Sequence, residues 1–300
     1  MTLPIVHHPD YDAGFPPGHR FPMGKYSALI ASLRRKSLAN GAEVLVPEPA
    51  PAEWLARAHD PIYVGQVVAC DVPQIIEREI GFPVDRRVSL RARYTVAGTI
   101  LAAALALRHG IACNTAGGSH HARREQGAGF CTLNDVAVAA LHLLETGAAG
   151  RILVVDLDVH QGDGTAEILT GEPRVFTFSM HAERNYPVRK AVSTLDIGLP
   201  DGTEDDAYVA RLETLLPVLW EQSAPDIVFY NAGVDPHRDD RLGRLALSDD
   251  GLRRRDRAVI HFFRSRSVPV CGVIGGGYSS DLEALADRHA ILFEEAAAVA

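Results

Sequence analysis

The chain has 300 residues, enough for one large α/β domain or two smaller ones, and is 47% hydrophobic and 23% charged. That composition excludes disordered and fibrous classes. A formal charge of −8 and a pI near 5.9 leave no basic footprint for direct nucleic-acid binding.

The start, Met1-Thr2-Leu3-Pro4, lacks a basic segment followed by an apolar stretch, and the longest apolar tract runs only from Ile100 to Leu107. A soluble, unprocessed chain that engages no membrane is therefore expected. Helical periodicity runs from Tyr26 to Leu38, closed by Asn40-Gly41, and from Leu90 to Arg108, closed by His109-Gly110. Proline is dense between Pro47 and Pro61, which reads as a surface excursion. Further helices are predicted from Asp135 to Glu145, from Asp205 to Trp220 with Pro217 perturbing the last turn, from Asp249 to Arg264 and from Asp281 to Arg288. Short apolar runs lie between them: Ile111-Ala112-Cys113, Ile152 to Val155, Val175 to Phe178, Asp226 to Tyr230 and Val268 to Ile274. Strands alternating with helices predict one α/β domain over residues 1–300, with a central, mostly parallel sheet flanked by helices on both faces. Cys70, Cys113, Cys131 and Cys271 are far apart and form no CxxC pair. They read as buried small hydrophobes in a reducing, cytoplasmic compartment.

In such a sheet, ligands bind outside the carboxyl ends of the strands. Each apolar run leads into an unusual polar or glycine-rich segment: Gly117-Gly118-Ser119-His120-His121, Asp156 to His160, Ser179-Met180-His181, Asn231-Ala232-Gly233-Val234-Asp235, and Gly275-Gly276-Gly277-Tyr278. Parallel neighbours would bring all five to one rim. Asp156, Asp158 and His160 alternate at the tip of one run, and in an extended chain such residues project to one side. Asp158 and His160 form a mixed oxygen and nitrogen set suited to Zn²⁺ and tolerable to Fe²⁺, with Asp235 as the best third ligand. The pair His120-His121 belongs to a loop from which both rings can reach a cleft, with Asp156 and Asp163 as orienting carboxylates. Asp163 is read as a turn residue between Gly162 and Gly164. Tyr278, after three glycines, can donate a hydrogen bond to a developing oxyanion. His7-His8 read as a surface pair, and His59, His109, His142, His181, His237, His261 and His289 as surface or satisfied core residues.

The segments Gly117 to Ala122, Gly129 to Asp135, Asp156 to Gly164, Asn231 to His237 and Gly275 to Tyr278 together resemble the zinc-dependent histone deacetylase superfamily. The flanks His19 to Tyr26 and Asp235 to Gly243, with Gln161 in place of a second histidine, look most like its class IV branch. The resemblance implies the arginase/deacetylase fold and a hydrolase that removes an acyl group from lysine by metal-activated water. It implies Asp158, His160 and Asp235 as zinc ligands, His120 paired with Asp156, His121 paired with Asp163, and Tyr278 at the transition state. It also implies an acyl-lysine tunnel walled by Gly129, Phe130, Tyr186 and Gly276. A structural K⁺ is implied at Ser179 and the carbonyls of Asp156, Asp158, His160 and Met180. No loop aspartate that would grip a peptide aligns near Gly81-Phe82-Pro83, Asp85 being the nearest. The implied partner is an acyl-lysine protein or peptide, the alternative a small acylated amine such as an acetylpolyamine, and a monomer is favoured. A non-catalytic acyl-lysine or metal-binding module is the rival from another class, and an arginase-like dimanganese site ranks lowest on ligand chemistry.

Overall fold

The computed structural model describes residues 2–16, 18–39, 41 and 44–300. Its eight strands are β1 (Ile5–Val6), β2 (Val44–Leu45), β3 (Ile111–Asn114), β4 (Ile152–Asp156), β5 (Val175–Ala182), β6 (Leu195–Leu199), β7 (Ile227–Asn231) and β8 (Val270–Val273). They form one sheet in the order β2-β1-β3-β8-β7-β4-β5-β6. Every pairing is parallel, so the expected mostly parallel sheet is parallel throughout.

The four central strands are buried at every position. Because alternate residues face opposite sides, both faces are covered, which is why these strands read as continuous apolar runs instead of alternating ones. The order also explains where the chemistry gathers. The chain leaves β3, skips two places to β4, runs outward through β5 and β6, then returns to fill the gap with β7 and β8. That reversal opens a crevice at the carboxyl ends of β3, β8, β7 and β4.

Among the described residues ten α-helices accompany the strands: α1 (Lys25–Arg35), α2 (Ala52–Leu55), α3 (Pro61–Ala69), α4 (Gln74–Ile80), α5 (Arg86–His109), α6 (Asp135–Glu145), α7 (Asp163–Leu169), α8 (Asp205–Ser223), α9 (Asp249–Arg264) and α10 (Leu282–Ala297). The first predicted helix ends at Arg35, three residues early, and its expected stop at Asn40 lies outside the described residues. The last runs to Ala297, nine residues beyond its predicted end at Arg288. Helices α2, α3, α4 and α7 and strands β1, β2 and β6 have no counterpart in the sequence reading. All are short, or, like β6, half-buried, and leave little periodic signal. The expected surface excursion at 47–61 instead buries Ala50, Leu55 and Ala58.

Helix α5 is long and apolar enough to cross a membrane, yet 67% of its most apolar window is buried within the protein. It packs on β3, β8 and α6, as a core helix does. Asp85 caps it, accepting from the amides of Arg87 and Val88 at 2.9 and 3.0 Å. That carboxylate is engaged at the helix terminus, in keeping with the absence of an aligned peptide-gripping aspartate in this region. Cys70 corrects the reading of all four cysteines as buried: it is exposed, at the left-handed C-cap of α3.

Candidate active site

Strand β4 ends at Asp156, and the chain beyond it curls instead of continuing extended. The Asp156 carboxylate accepts from the Asp158 amide at 3.2 Å, and that of Asp158 accepts from the His160 amide at 3.0 Å. Two successive Asx-type turns therefore deliver Asp158 and His160, which corrects the picture of three side chains on one strand face. Asp235 arrives from the segment after β7 and accepts from the Val159 amide at 2.9 Å. Among the described residues, Asp158, His160 and Asp235 bring ligand atoms within 4.8 Å of one another, all buried.

Two carboxylates this close repel. Burial and the neighbouring Asp158 push the Asp235 carboxyl up to about 7, although His160 opposes them. His160 Nδ1 lies 3.0 Å from Asp158 and 3.1 Å from Asp235. Burial disfavours its charge, but the two carboxylates more than compensate and raise it to about 10. The metal-free cluster is thus held together by the His160 cation between two carboxyl groups, of which Asp235 is the more readily protonated. A divalent cation fits that charge demand, and the O/N donor set fits zinc.

Glycine makes the close approach possible. A Cβ on Gly276 would stand 2.1 Å from the Asp235 carboxylate and 2.7 Å from that of Asp158. Its amide instead donates to Asp158 at 2.7 Å.

His120 and His121 sit in the loop after β3, as expected, with ring centroids 4.2 Å apart. His120 Nδ1 donates to Asp156 at 2.7 Å and His121 Nδ1 to Asp163 at 2.5 Å. Asp163 is not a mid-turn residue: it is the first residue of α7. The two dyads differ in their surroundings. Asp156 has the neutral Asn231 amide as a further donor at 3.0 Å, whereas Asp163 shares its charge with Arg123 at 2.9 Å. Burial opposes the charge on both rings. At His120 the carboxylates of Asp156 and Asp158 prevail and raise it to about 9. At His121 burial and the adjacent His120 prevail over Asp163 and lower it to about 4.

The loop carrying both rings is tied down by residues absent from the sequence reading of the site. Asp135, at the start of α6, accepts from the Ser119 and Gly118 amides at 2.8 and 3.2 Å and from the Thr99 hydroxyl at 2.6 Å. Asn134 caps α6 and also donates to the Ala122 carbonyl at 3.1 Å. Both lie at the end of a segment quoted for the resemblance, but the reason for an acid there appears only when the loop is seen above it.

A cavity of about 290 Å³ leads to this cluster, lined by His121, Gly129, Phe130, His160, Tyr186 and Tyr278, with Arg20, Arg78 and Glu79 among its other lining residues. Phe130 has a left-handed backbone, and α4 fixes it through the carbonyls of Glu79 and Ile80, which accept from the Gly129 and Phe130 amides. Tyr186 meets the His121 ring edge-on at 4.8 Å. Tyr278 packs against Phe130 and His160, and burial raises its hydroxyl well above the ordinary value, so it stays protonated. A smaller space of about 20 Å³ lies among Gly117, His120, Asp158, Gly276, Tyr26 and Arg91. A larger depression, about 490 Å³, lies beside the starts of β4 and β5, remote from this chemistry.

Ser179 and Met180 stand in β5, Ser179 directly beside Asp156. The Ser179 hydroxyl pairs with His181 Nδ1 at 2.9 Å. Among the described residues, the carbonyls of Asp158 and His160 accept no hydrogen bond, while that of Val159 between them accepts from Ala182. His289 departs from the expected satisfied state: it is buried, and neither ring nitrogen has a partner among the described residues.

Fold and site together define a parallel α/β protein with two histidine–carboxylate dyads beside an Asp-His-Asp cluster at the end of a cavity. Residues 19–294 match the family model described as histone deacetylase domain. The chain belongs to that family, and its chemistry is removal of an acyl group by hydrolysis. It is 47% identical over 296 residues to an uncharacterized protein of Picosynechococcus sp., covering 99% of each chain. It is 36% identical over 210 residues to histone deacetylase 2 of Arabidopsis thaliana, covering 69% of this chain and 54% of that one. The chain therefore spans about half the length of that named relative. The crystal structure of the HDA15 HD domain superposes with a TM-score of 0.83 over 99% of this chain and 89% of the other; at 21% identity this shows the shared fold.

Proposed function

We propose that the protein is a zinc-dependent deacylase that hydrolyses the amide between a short acyl group and the side-chain amine of lysine. The observation that carries this reading is the convergence of Asp158, His160 and Asp235 with His121 and Tyr278 around one cavity. When bound, zinc supplies a Lewis acid that acidifies water and polarises the acyl carbonyl. His121, neutral at pH 7, accepts the proton of the attacking water. His120, held cationic by Asp156, is the proton source for the departing amine. The Tyr278 hydroxyl donates to the oxyanion, a bond that strengthens as charge develops. Phe130 and Tyr186 admit a slender alkyl chain and exclude bulk water.

The space of about 20 Å³ beside the cluster holds little more than one water, which favours acetyl over long acyl chains. A second reading, a small acylated amine as substrate, is favoured by the engagement of Asp85 in capping α5. Similarity to class IV members is supported by Gln161, whose amide bonds both the N–H and the C=O of Ala191 and so tethers the loop carrying Tyr186. A structural K⁺ is supported by the free carbonyls of Asp158 and His160, and a cytoplasmic, reducing location by four free cysteines.

Metal analysis of the purified protein, with turnover of an acetyl-lysine peptide, an N-acetylated diamine and an acyl-length series, tests the reading. Zinc at about one equivalent and a profile falling beyond short acyl groups are expected. Replacing His121 by Ala is expected to lower the rate by ~10²–10⁴. Full turnover by that variant, or none by the zinc-loaded wild type on either amine class, overturns the proposal.

A further inference from the structure

Arg255 lies within α9 and has no exposed surface. Its guanidinium serves two chain segments at once. Nη1 donates to the Gly233 carbonyl at 2.5 Å and to the Leu157 carbonyl at 3.3 Å, and Nη2 reaches the Ala232 carbonyl at 3.5 Å. Leu157 immediately precedes Asp158, and Ala232 and Gly233 lead into Asp235. One planar cation therefore spans the two segments that deliver the carboxylates of the cluster.

The strands themselves do not need it. The β4–β7 ladder ends at Asp156 opposite Asn231, followed by one bond from the Leu157 amide to the Asn231 carbonyl. Beyond that point the segments diverge from sheet geometry, and their carbonyls turn toward α9. Buried carbonyls require donors, and a guanidinium offers several in one plane where lysine offers a single point. Arg255 is itself held in place. Its Nε donates to Asp256 at 2.8 Å, and Asp256 accepts the Tyr230 hydroxyl at 2.5 Å. Burial works against the charge, but Asp256 more than compensates and keeps the guanidinium ionised.

We propose that Arg255 is a positioning residue for the metal centre, setting the separation of Asp158 and Asp235 by bridging the backbone segments that carry them. The proposal rests on the metal-site reading above. It assigns Arg255 a role through the ligands and no contact with substrate.

The test compares wild type, Arg255→Lys, Arg255→Met and Asp256→Asn by circular dichroism of the metal-free proteins, by Zn²⁺ and Co²⁺ dissociation constants from competition with a chromophoric chelator, and by the visible spectrum of the cobalt form. Arg255→Lys is expected to weaken metal binding by about 10–100-fold, the range for groups that orient metal ligands. A shifted cobalt spectrum should accompany it, and Asp256→Asn should show a smaller change of the same sign. At saturating metal, kcat is expected to fall while KM for substrate is unchanged. Folded variants with wild-type dissociation constants and an unaltered cobalt spectrum overturn the proposal. If the Arg255 variants do not fold, Asp256→Asn decides by the same readings. A wild-type protein that binds neither ion overturns the metal reading itself, and this proposal with it.

Discussion

Two histidines adjacent in sequence are shifted in opposite directions, His120 toward the cation and His121 toward the neutral ring, and the sequence contains the cause without displaying it. Asp156 and Asp163 are legible in the sequence as orienting acids, but which ring pairs with which is implied only by the family resemblance. What separates them is burial and the charge of His120 itself, which prevail at His121, and Asp158, which adds to the pull of Asp156 on His120. The reach of Asp158 has no sequence spacing that announces it, because it arises between loops that meet only in the fold. His59 agrees with its reading as a satisfied core histidine: its Nδ1 donates to the Arg123 carbonyl at 2.8 Å and its Nε2 accepts from the Asn134 amide at 2.9 Å. Burial lowers it to about 4, from an ordinary 6.5. As pH falls, the unfolded chain therefore takes up the proton first. The stability that His59 contributes is complete above about pH 6.5 and lost as pH falls toward 4. By linkage, this one group should cost about 2 kcal/mol between about pH 7 and 5. Urea unfolding of wild type and His59→Gln at both pH values checks this, the variant being expected to show the smaller pH dependence.

At the scale of elements, long periodic helices and fully buried strands are readable, while two-residue strands, a half-buried strand and short helices are not. A two-residue strand such as β1 carries no period, and it forms because β2 and β3 offer edges on either side. The functional tip of β4 was located correctly but given the wrong shape. Alternation suggested an extended strand, whereas the aspartates bond to amides two residues ahead and curl the chain. The glycine run before Tyr278 was legible as a place of close approach, and the structure shows what approaches. Replacing Gly276 by Ala would put a methyl group 2.1 Å from the Asp235 carboxylate. That variant is expected to fold and to bind zinc at least about tenfold more weakly, since misplacing groups around a metal typically costs 10–100-fold in affinity. Chelator competition measures the affinity, and circular dichroism confirms the fold.

For the molecule as a whole, the sheet concentrates buried negative charge at one rim. Asp156, Asp158, Asp163 and Asp235 are all at most 3% exposed, in a chain whose net charge is already −8. A divalent cation bound only by the folded state offsets that repulsion and adds stability by mass action. With free zinc at about 100 times its dissociation constant, the gain is about 2.7 kcal/mol. Thermal unfolding is therefore expected to shift upward by several degrees with zinc and to return to the metal-free value with a chelator. An unchanged midpoint under both conditions would mean that the cluster holds no zinc.

The strand order also constrains how the protein is made. Because β7 and β8 are inserted between β3 and β4, the two outer halves of the sheet cannot join until residues 227–273 have been synthesised. Until then β3 and β4 are both open edges, lined with apolar side chains and unpaired backbone groups, and open edges of this kind invite pairing with other chains. The nascent chain thus passes through a stage at which β1 to β6 exist while its sheet is still in two pieces, with the facing edges of β3 and β4 open to pairing with other chains.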